Sequence, residues 1–232
     1  MSSFLLIFLI SSVSLATSHE ACSENAGNSA LFIIDMQSFF KERTGTHKKP
    51  ENQIKLEELH KQQLLAIAKA RESGISIVFI EYLLGPESGS TDYRLKDAVR
   101  GYTNTRTFQK TSDGMFHDYN TFRDQLISYI KQNNIGTLLV MGANGGSCVE
   151  ASILQGLNRG CRVVAYNKGI ADFNYRDFVY PYAGLLGQSM EPFCKDQCDF
   201  KETSSIDFFE NQMRFTRGST KTSPQRSQPA TR

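Results

Sequence analysis

The sequence contains no tryptophan, only four histidines (His19, His47, His60 and His117) and no Asn-x-Ser/Thr sequon. The missing sequon excludes N-linked glycosylation. No histidine lies between Glu81 and Lys110. A zinc shell on that stretch would have to do without imidazole, although zinc sites draw three or four ligands from His, Cys and carboxylates. Cysteine is also sparse. There are five, and the Cys194-Lys195-Asp196-Gln197-Cys198 spacing matches neither a CxxC redox pair nor half of a zinc site. Charge of neither sign dominates: the formal net charge is +2. Five basic and no acidic residues lie from Asn211 onward, which leaves the remainder at −3. That tail is rich in Ser, Thr, Gln and Pro with its basic residues spread out, the composition of a solvated disordered segment and not of a nucleic-acid arm.

Long apolar runs are absent with one exception, Phe4 to Ile10, which is uncharged and followed by small residues through Ser18. It is too short to span a bilayer and fits a secretory signal peptide. The sequence therefore predicts a signal peptide over 1–18, one compact domain over 19–210 and a basic tail over 211–232. The mature chain has no membrane span and is expected to be secreted, outside the cell or in the secretory pathway. Export places the cysteines in an oxidising compartment. Cys22, Cys194 and Cys198 lie in polar segments, so a disulfide is expected among these three, with Cys194 and Cys198 stapled together or one of them paired with Cys22. Cys148 is expected to stay free.

Ordered structure is dense between these ends. Ala30 to Ile34, Ile75 to Ile80 and Thr137 to Met141 are continuous apolar runs, the pattern of strands buried on both faces. Arg106 to Lys110 is a shorter strand candidate, and Asp199 to Lys201 a last edge strand. Helices are expected over Lys55–Ser73, stopped by Gly74, and after Asn120, where Phe122, Leu126 and Ile130 recur every fourth residue. Lys41–Gln53 and Gly85–Thr105 read as connections, Pro181 starts a short helix through Leu186, and Ser204 caps a last turn with Phe208 and Phe209. The alternation predicts an α/β fold: three layers, a mostly parallel sheet of about six strands, and helices on both faces.

The chain centres on Ile135 to Tyr166. An apolar strand runs into Gly142-Ala143-Asn144-Gly145-Gly146, a sequence built for a tight turn. Ser147 can cap the helix that follows, whose Val149, Ile153 and Leu157 share a face, and Cys161 to Tyr166 is the next strand. Cys148 sits at the helix start, where the dipole and free N–H groups favour thiolate and can hold an oxyanion. Taken alone, it reads sooner as an inert buried cysteine. Asp35 and Lys110, however, also fall at carboxyl ends of predicted strands, where ligands bind in such folds. An aspartate that takes the thiol proton, a lysine that keeps thiolate and carboxylate charged, and a cysteine that attacks a carbonyl constitute metal-free acyl transfer.

The segments ALFIIDMQSFF (30–40), TFQKTSDGMF (107–116) and LLVMGANGGSCVEASILQGLNRGCRVVAYNKGIAD (138–172) resemble, in order, the isochorismatase-like cysteine hydrolases, a group that includes nicotinamidases and N-carbamoylsarcosine amidase. The resemblance runs from about Asn28 to Glu210 and implies a Rossmann-like sheet and a triad of Asp35, Lys110 and Cys148. It also implies a non-proline cis bond at Ala143–Asn144 and an oxyanion site at Ala143, Asn144 and Cys148. Gln37, Phe40 and Phe116, inside the matching segments, are the implied substrate contacts. Three features depart from the family: the histidines of the nicotinamidase metal site are missing, Gly145-Gly146 replaces the usual Thr-Asp, and Asn167-Lys168 follows the next strand. The expectation is a hydrolase of a small amide or related carbonyl compound with no cofactor or metal and a small-molecule partner, a homo-oligomer being left open. Vinyl-ether hydrolysis of the isochorismatase type and a non-catalytic binding protein on the same fold are the alternatives.

Overall fold

The computed structural model describes residues 20–23, 25–38, 48–83, 88–173, 178–182 and 199–214. The signal-peptide segment, Phe40, the expected helix beyond Tyr182, Cys194, Cys198 and the tail after Arg214 lie outside the described residues.

The elements, in chain order, are β1 (Asn28–Ile34), α1 (Pro50–Glu72), β2 (Ser76–Tyr82), α2 (Tyr93–Ala98), β3 (Thr105–Lys110), α3 (Arg123–Gln132), β4 (Ile135–Ala143), a π-turn (Gly145–Val149), α4 (Glu150–Leu157), β5 (Arg162–Phe173), β6 (Phe178–Val179), β7 (Phe200–Thr203) and α5 (Ile206–Arg214). The strands run β3-β2-β1-β4-β5, with β7 parallel on β5 and β6 antiparallel to the end of β5. This is the expected α/β fold, mostly parallel with helices around the sheet. β1 and β4 lie at its centre, and Ala30 through Ile34 and Ile135 through Ala143 are buried throughout. Among the described residues no helix is long and apolar enough to cross a membrane.

Several boundaries move, each for a local reason. α1 begins at Pro50, five residues before the expected Lys55: proline is pre-set for the first helical position and Glu51 suits the positive end of the dipole. α2 interrupts the connection from Gly85 to Thr105, started by Asp92, whose side chain accepts from the Arg94 N–H. Ser205, not Ser204, caps α5, its Oγ taking the Phe208 N–H at 3.2 Å, and the helix continues past Asn211 to bury Met213.

The expected pairing of Cys22 is corrected, while the alternative staple of Cys194 with Cys198 lies outside the described residues. Cys22 pairs with Cys161, 139 residues away, instead of with Cys194 or Cys198. The chain entering the domain lies against the turn before β5: Ala21 and Cys22 both donate backbone N–H groups to Arg159 O, at 3.1 and 3.2 Å. Gly160, with φ 78°, turns the chain there so that Cys161 faces the entering segment. Cys148 is free and buried.

Candidate active site

Three strands deliver the candidate residues to one rim. β1 is held in register between β2 and β4, Ile34 lying opposite Ile80 on one side and Gly142 on the other. Asp35 is the next residue, and it leaves the strand with φ 50°, a left-handed conformation that costs a non-glycine residue roughly 1–3 kcal/mol. Its N–H still reaches Ile80 O at 2.9 Å, so the backbone is anchored while the side chain turns inward. Lys110 ends β3. Both residues are 0 % exposed, and Lys110 Nζ stands 2.8 Å from Asp35 Oδ2. The ammonium also donates to Ser112 O at 3.0 Å and Asp113 O at 2.8 Å, and it lies 4.3 Å from the centre of the Tyr82 ring. The contact with Asp35 is a close, wholly buried ion pair. A buried pair of this kind tolerates loss of neither member.

The third residue arrives through a turn that the sequence only half describes. Gly142 packs so closely on β1 that a Cβ there would lie 2.2 Å from Ile34 O. Asn144 follows with φ 56°. The expected cis bond at Ala143–Asn144 is absent; the cis bond among the described residues is Tyr180–Pro181. Reversal is achieved instead by the left-handed asparagine, which tolerates that region better than other side chains. Ser147 does not cap a helix. Ser147 and Val149 both donate N–H groups to Asn144 O at 3.0 Å, and Glu150 N–H reaches back to Gly145 O and Ser147 O. The chain thus winds one wide turn before α4. None of these bonds uses the Cys148 N–H.

The thiol lies against the Asp35 carboxylate. Its state differs from the expectation. Burial, and next the charge of Asp35, push the Cys148 thiol up to about 12, outweighing the opposing pull of Lys110. The lysine is already neutralised by Asp35, and the π-turn presents fewer aligned dipoles than a regular helix start. Burial likewise raises Asp35, although Lys110 works against it. The resting pair is therefore a neutral thiol beside a carboxylate with heightened proton affinity.

The other expected contacts fall differently. Gln37 is 1 % exposed and its amide is engaged by the backbone. Nε2 donates to Tyr82 O, Ser88 O and Gly89 O, and Oε1 accepts from Tyr82 N–H at 2.6 Å. It clamps the end of β2, which holds the Tyr82 ring over Lys110. Phe116 lines a cavity of about 280 Å³ with His117, Asp118 and Arg159, whose lining does not include Cys148. One residue that sequence reasoning missed lies at the thiol: Asp113 Oδ1 is 3.8 Å from Cys148 Sγ and its Oδ2 is 3.2 Å from Ser147 Oγ. Its only signal was position, three residues after Lys110 in a polar turn.

Among the described residues, those at this rim do not fit a divalent metal of the nicotinamidase type. Asp35 faces Lys110, while Glu81 accepts from Thr91 and stands 3.1 Å from Lys96 Nζ. Among the described residues no group of three His, Cys, Asp or Glu side chains is placed to hold a metal ion.

Residues 29–180 match the family profile described as isochorismatase domain. No curated protein matches the sequence significantly. Solved structures do. The nicotinamidase of Staphylococcus aureus is 15% identical, the match covering 77% of this chain and 98% of that one with a TM-score of 0.56. N-carbamoylsarcosine amidase from Thermoplasma acidophilum is 14% identical over 78% and 99%, with a TM-score of 0.55. A cysteine hydrolase from Pseudomonas syringae pv. phaseolicola is 16% identical over 82% and 95%, also at 0.55. At such identities these structures speak for the fold alone.

Proposed function

Because the chain belongs to the isochorismatase family of hydrolases, we propose that it is a secreted cysteine hydrolase of a small amide or related carbonyl compound, acting through Asp35, Lys110 and Cys148. The observation that carries this reading is the wholly buried Lys110–Asp35 pair, 2.8 Å apart, with a free thiol against the same carboxylate. Core packing does not call for three such groups together, since buried charges are costly unless they serve each other.

The chemistry follows from the two raised affinities. A thiol near 12 does not ionise unaided at neutral pH. Transfer of its proton to Asp35 becomes favourable as Sγ bonds to the carbonyl carbon, because negative charge then passes to the carbonyl oxygen. That oxygen is received by backbone N–H groups at the turn of Ala143, Asn144 and Cys148. Collapse expels the amine, which takes the proton from Asp35 and leaves a thioester. Water attacks the thioester, Asp35 takes its proton, and return of that proton to sulfur releases the acid. Lys110 holds Asp35 and the 112–113 backbone in place. The Cys22–Cys161 disulfide supports secretion, since such bonds persist in oxidising compartments.

Ammonia release from a panel of small amides, with wild type and Cys148→Ser, tests the reading. Turnover by wild type that survives chelation, with an acyl adduct on the Cys148 peptide, is the expected result. Turnover retained in Cys148→Ser, or lost to chelator and restored by zinc, overturns it.

A further inference from the structure

We propose that Asp113 is a specificity-determining residue of this site, selecting substrates that carry a cationic group within one or two bonds of the scissile carbonyl and disfavouring anionic ones. The inference rests on the hydrolase reading above and deepens it.

Asp113 is exposed, but the backbone that carries it is held in place. Its own carbonyl and that of Ser112 accept from Lys110 Nζ, and two residues on, Met115 N–H is bound by Ser152 Oγ at 3.1 Å. Ser152 belongs to α4, the helix that continues from Cys148. The loop is thereby tied both to the lysine of the site and to the helix of the nucleophile. This fixes the Asp113 carboxylate beside the thiol, with Oδ1 3.8 Å from Sγ.

Charge balance singles it out. The charges that act on Cys148 are those of Asp35, Lys110 and Asp113. The first two face each other at 2.8 Å and compensate. Among the described residues no ion pair holds Asp113, whose carboxylate contacts the Ser147 hydroxyl and the thiol. A second carboxylate, Asp172, takes the Gly146 N–H on the same turn.

Geometry then sets the substrate class. An attacked carbon must come within about 3–3.5 Å of sulfur. With Asp113 Oδ1 3.8 Å from that sulfur, substituents on the neighbouring atom of the substrate come within reach of the carboxylate. An ammonium placed there gains a partner, whereas a carboxylate meets a fixed like charge.

Two measurements test this together. The first labels Cys148 with methanethiosulfonates bearing either trimethylammonium or sulfonate, read by peptide mass and normalised to a small free thiol. The cation-to-anion rate ratio is independent of how much thiolate is present and of turnover. It should exceed unity and fall about three- to tenfold in Asp113→Asn, the range of an exposed ion pair or somewhat more. Asp113→Glu should restore it. The second compares kcat/KM for glycinamide, propionamide and malonamate, with the glycinamide-to-malonamate ratio falling in Asp113→Asn. A labelling ratio near unity, or one unchanged in Asp113→Asn, overturns the inference. Turnover of all three amides without charge preference overturns it too, but leaves the hydrolase reading standing. A charge-dependent labelling ratio with no turnover of any amide removes the hydrolase reading and keeps the selective carboxylate.

Discussion

Cys148 and Cys161 lie at opposite ends of α4 and meet opposite fates. At the end beyond the carboxyl edge of β4, Cys148 is free, stands against a carboxylate and is pushed up to about 12. At the other end, before β5, Cys161 is bonded to Cys22, and the surrounding backbone is satisfied by the Ala21 and Cys22 N–H groups on Arg159 O. Among the described residues, two of the three positive-φ positions other than glycine, Asp35 and Asn144, also belong to the first end. One rim collects buried charge and unusual backbone, and the other collects cross-links. The lesson is that burial does not decide whether a cysteine is free or bonded, for Cys148 and Cys161 are 4 % and 3 % exposed; what stands at each end of α4 does.

The comparison breaks most visibly at the nucleophile. Cys148→Ala should reduce hydrolysis to the uncatalysed level while the fold persists, with midpoints of urea unfolding moving little, because the substitution removes only one sulfur. A variant that keeps turnover would make the two cysteines equivalent after all.

Next in size is the charge pair. Lys110→Met leaves Asp35 buried without its partner and should cost about 3–5 kcal/mol by urea denaturation, along with activity. The double variant Lys110→Met with Asp35→Leu should recover much of that stability and none of the turnover. If the single and double variants are equally destabilised, the pair is not what the rim is built around.

The inert end gives a smaller effect with the opposite signature. Cys22→Ser with Cys161→Ser opens a cross-link between residues 139 apart and should cost about 2–4 kcal/mol. The rate of Cys148 alkylation should stay within about twofold of wild type, because the bond lies at the far end of α4 from the thiol. An alkylation rate that changes in step with stability would show that the two ends are coupled through α4.

These contrasts were unevenly legible in the sequence. β1, β2 and β4 could be read because strands buried on both faces are uninterrupted apolar runs, and their carboxyl ends place Asp35 and Cys148 on one rim. Lys110 needed the rule that ligands gather at that rim. What escaped reading depends on contacts between distant residues. The Cys22–Cys161 bond requires knowing that the entering chain lies on the turn before β5. Gln37 looks like a substrate contact until Tyr82, Ser88 and Gly89 are seen around its amide. Asp113 becomes notable only when the 112–115 backbone is pinned between Lys110 and Ser152. The π-turn was hidden too, since Gly145-Gly146 permits many turns and only packing chooses one.

The smallest expected effect is the pH dependence that the free thiol imposes on stability. A group that binds its proton more tightly folded than unfolded stabilises the fold fully below its unfolded pKa, and that contribution is lost as pH rises towards the folded value. For Cys148 the unfolded value is the ordinary 9.0 and the folded one about 12, so the loss runs from pH 9 to about 12. Between pH 9 and pH 10 wild type should lose about 1 kcal/mol more than Cys148→Ala, because each tenfold difference in proton affinity is worth about 1.36 kcal/mol and the unfolded thiol is only part-ionised at the start of that interval. Comparing the two proteins cancels the lysines, tyrosines and other cysteines they share, and Cys22 and Cys161 do not titrate while bonded. Urea denaturation at three or four pH values across this window measures the difference. Parallel curves would mean that the folded thiol titrates near the ordinary 9.0, so that neither burial nor Asp35 tightens its hold on the proton.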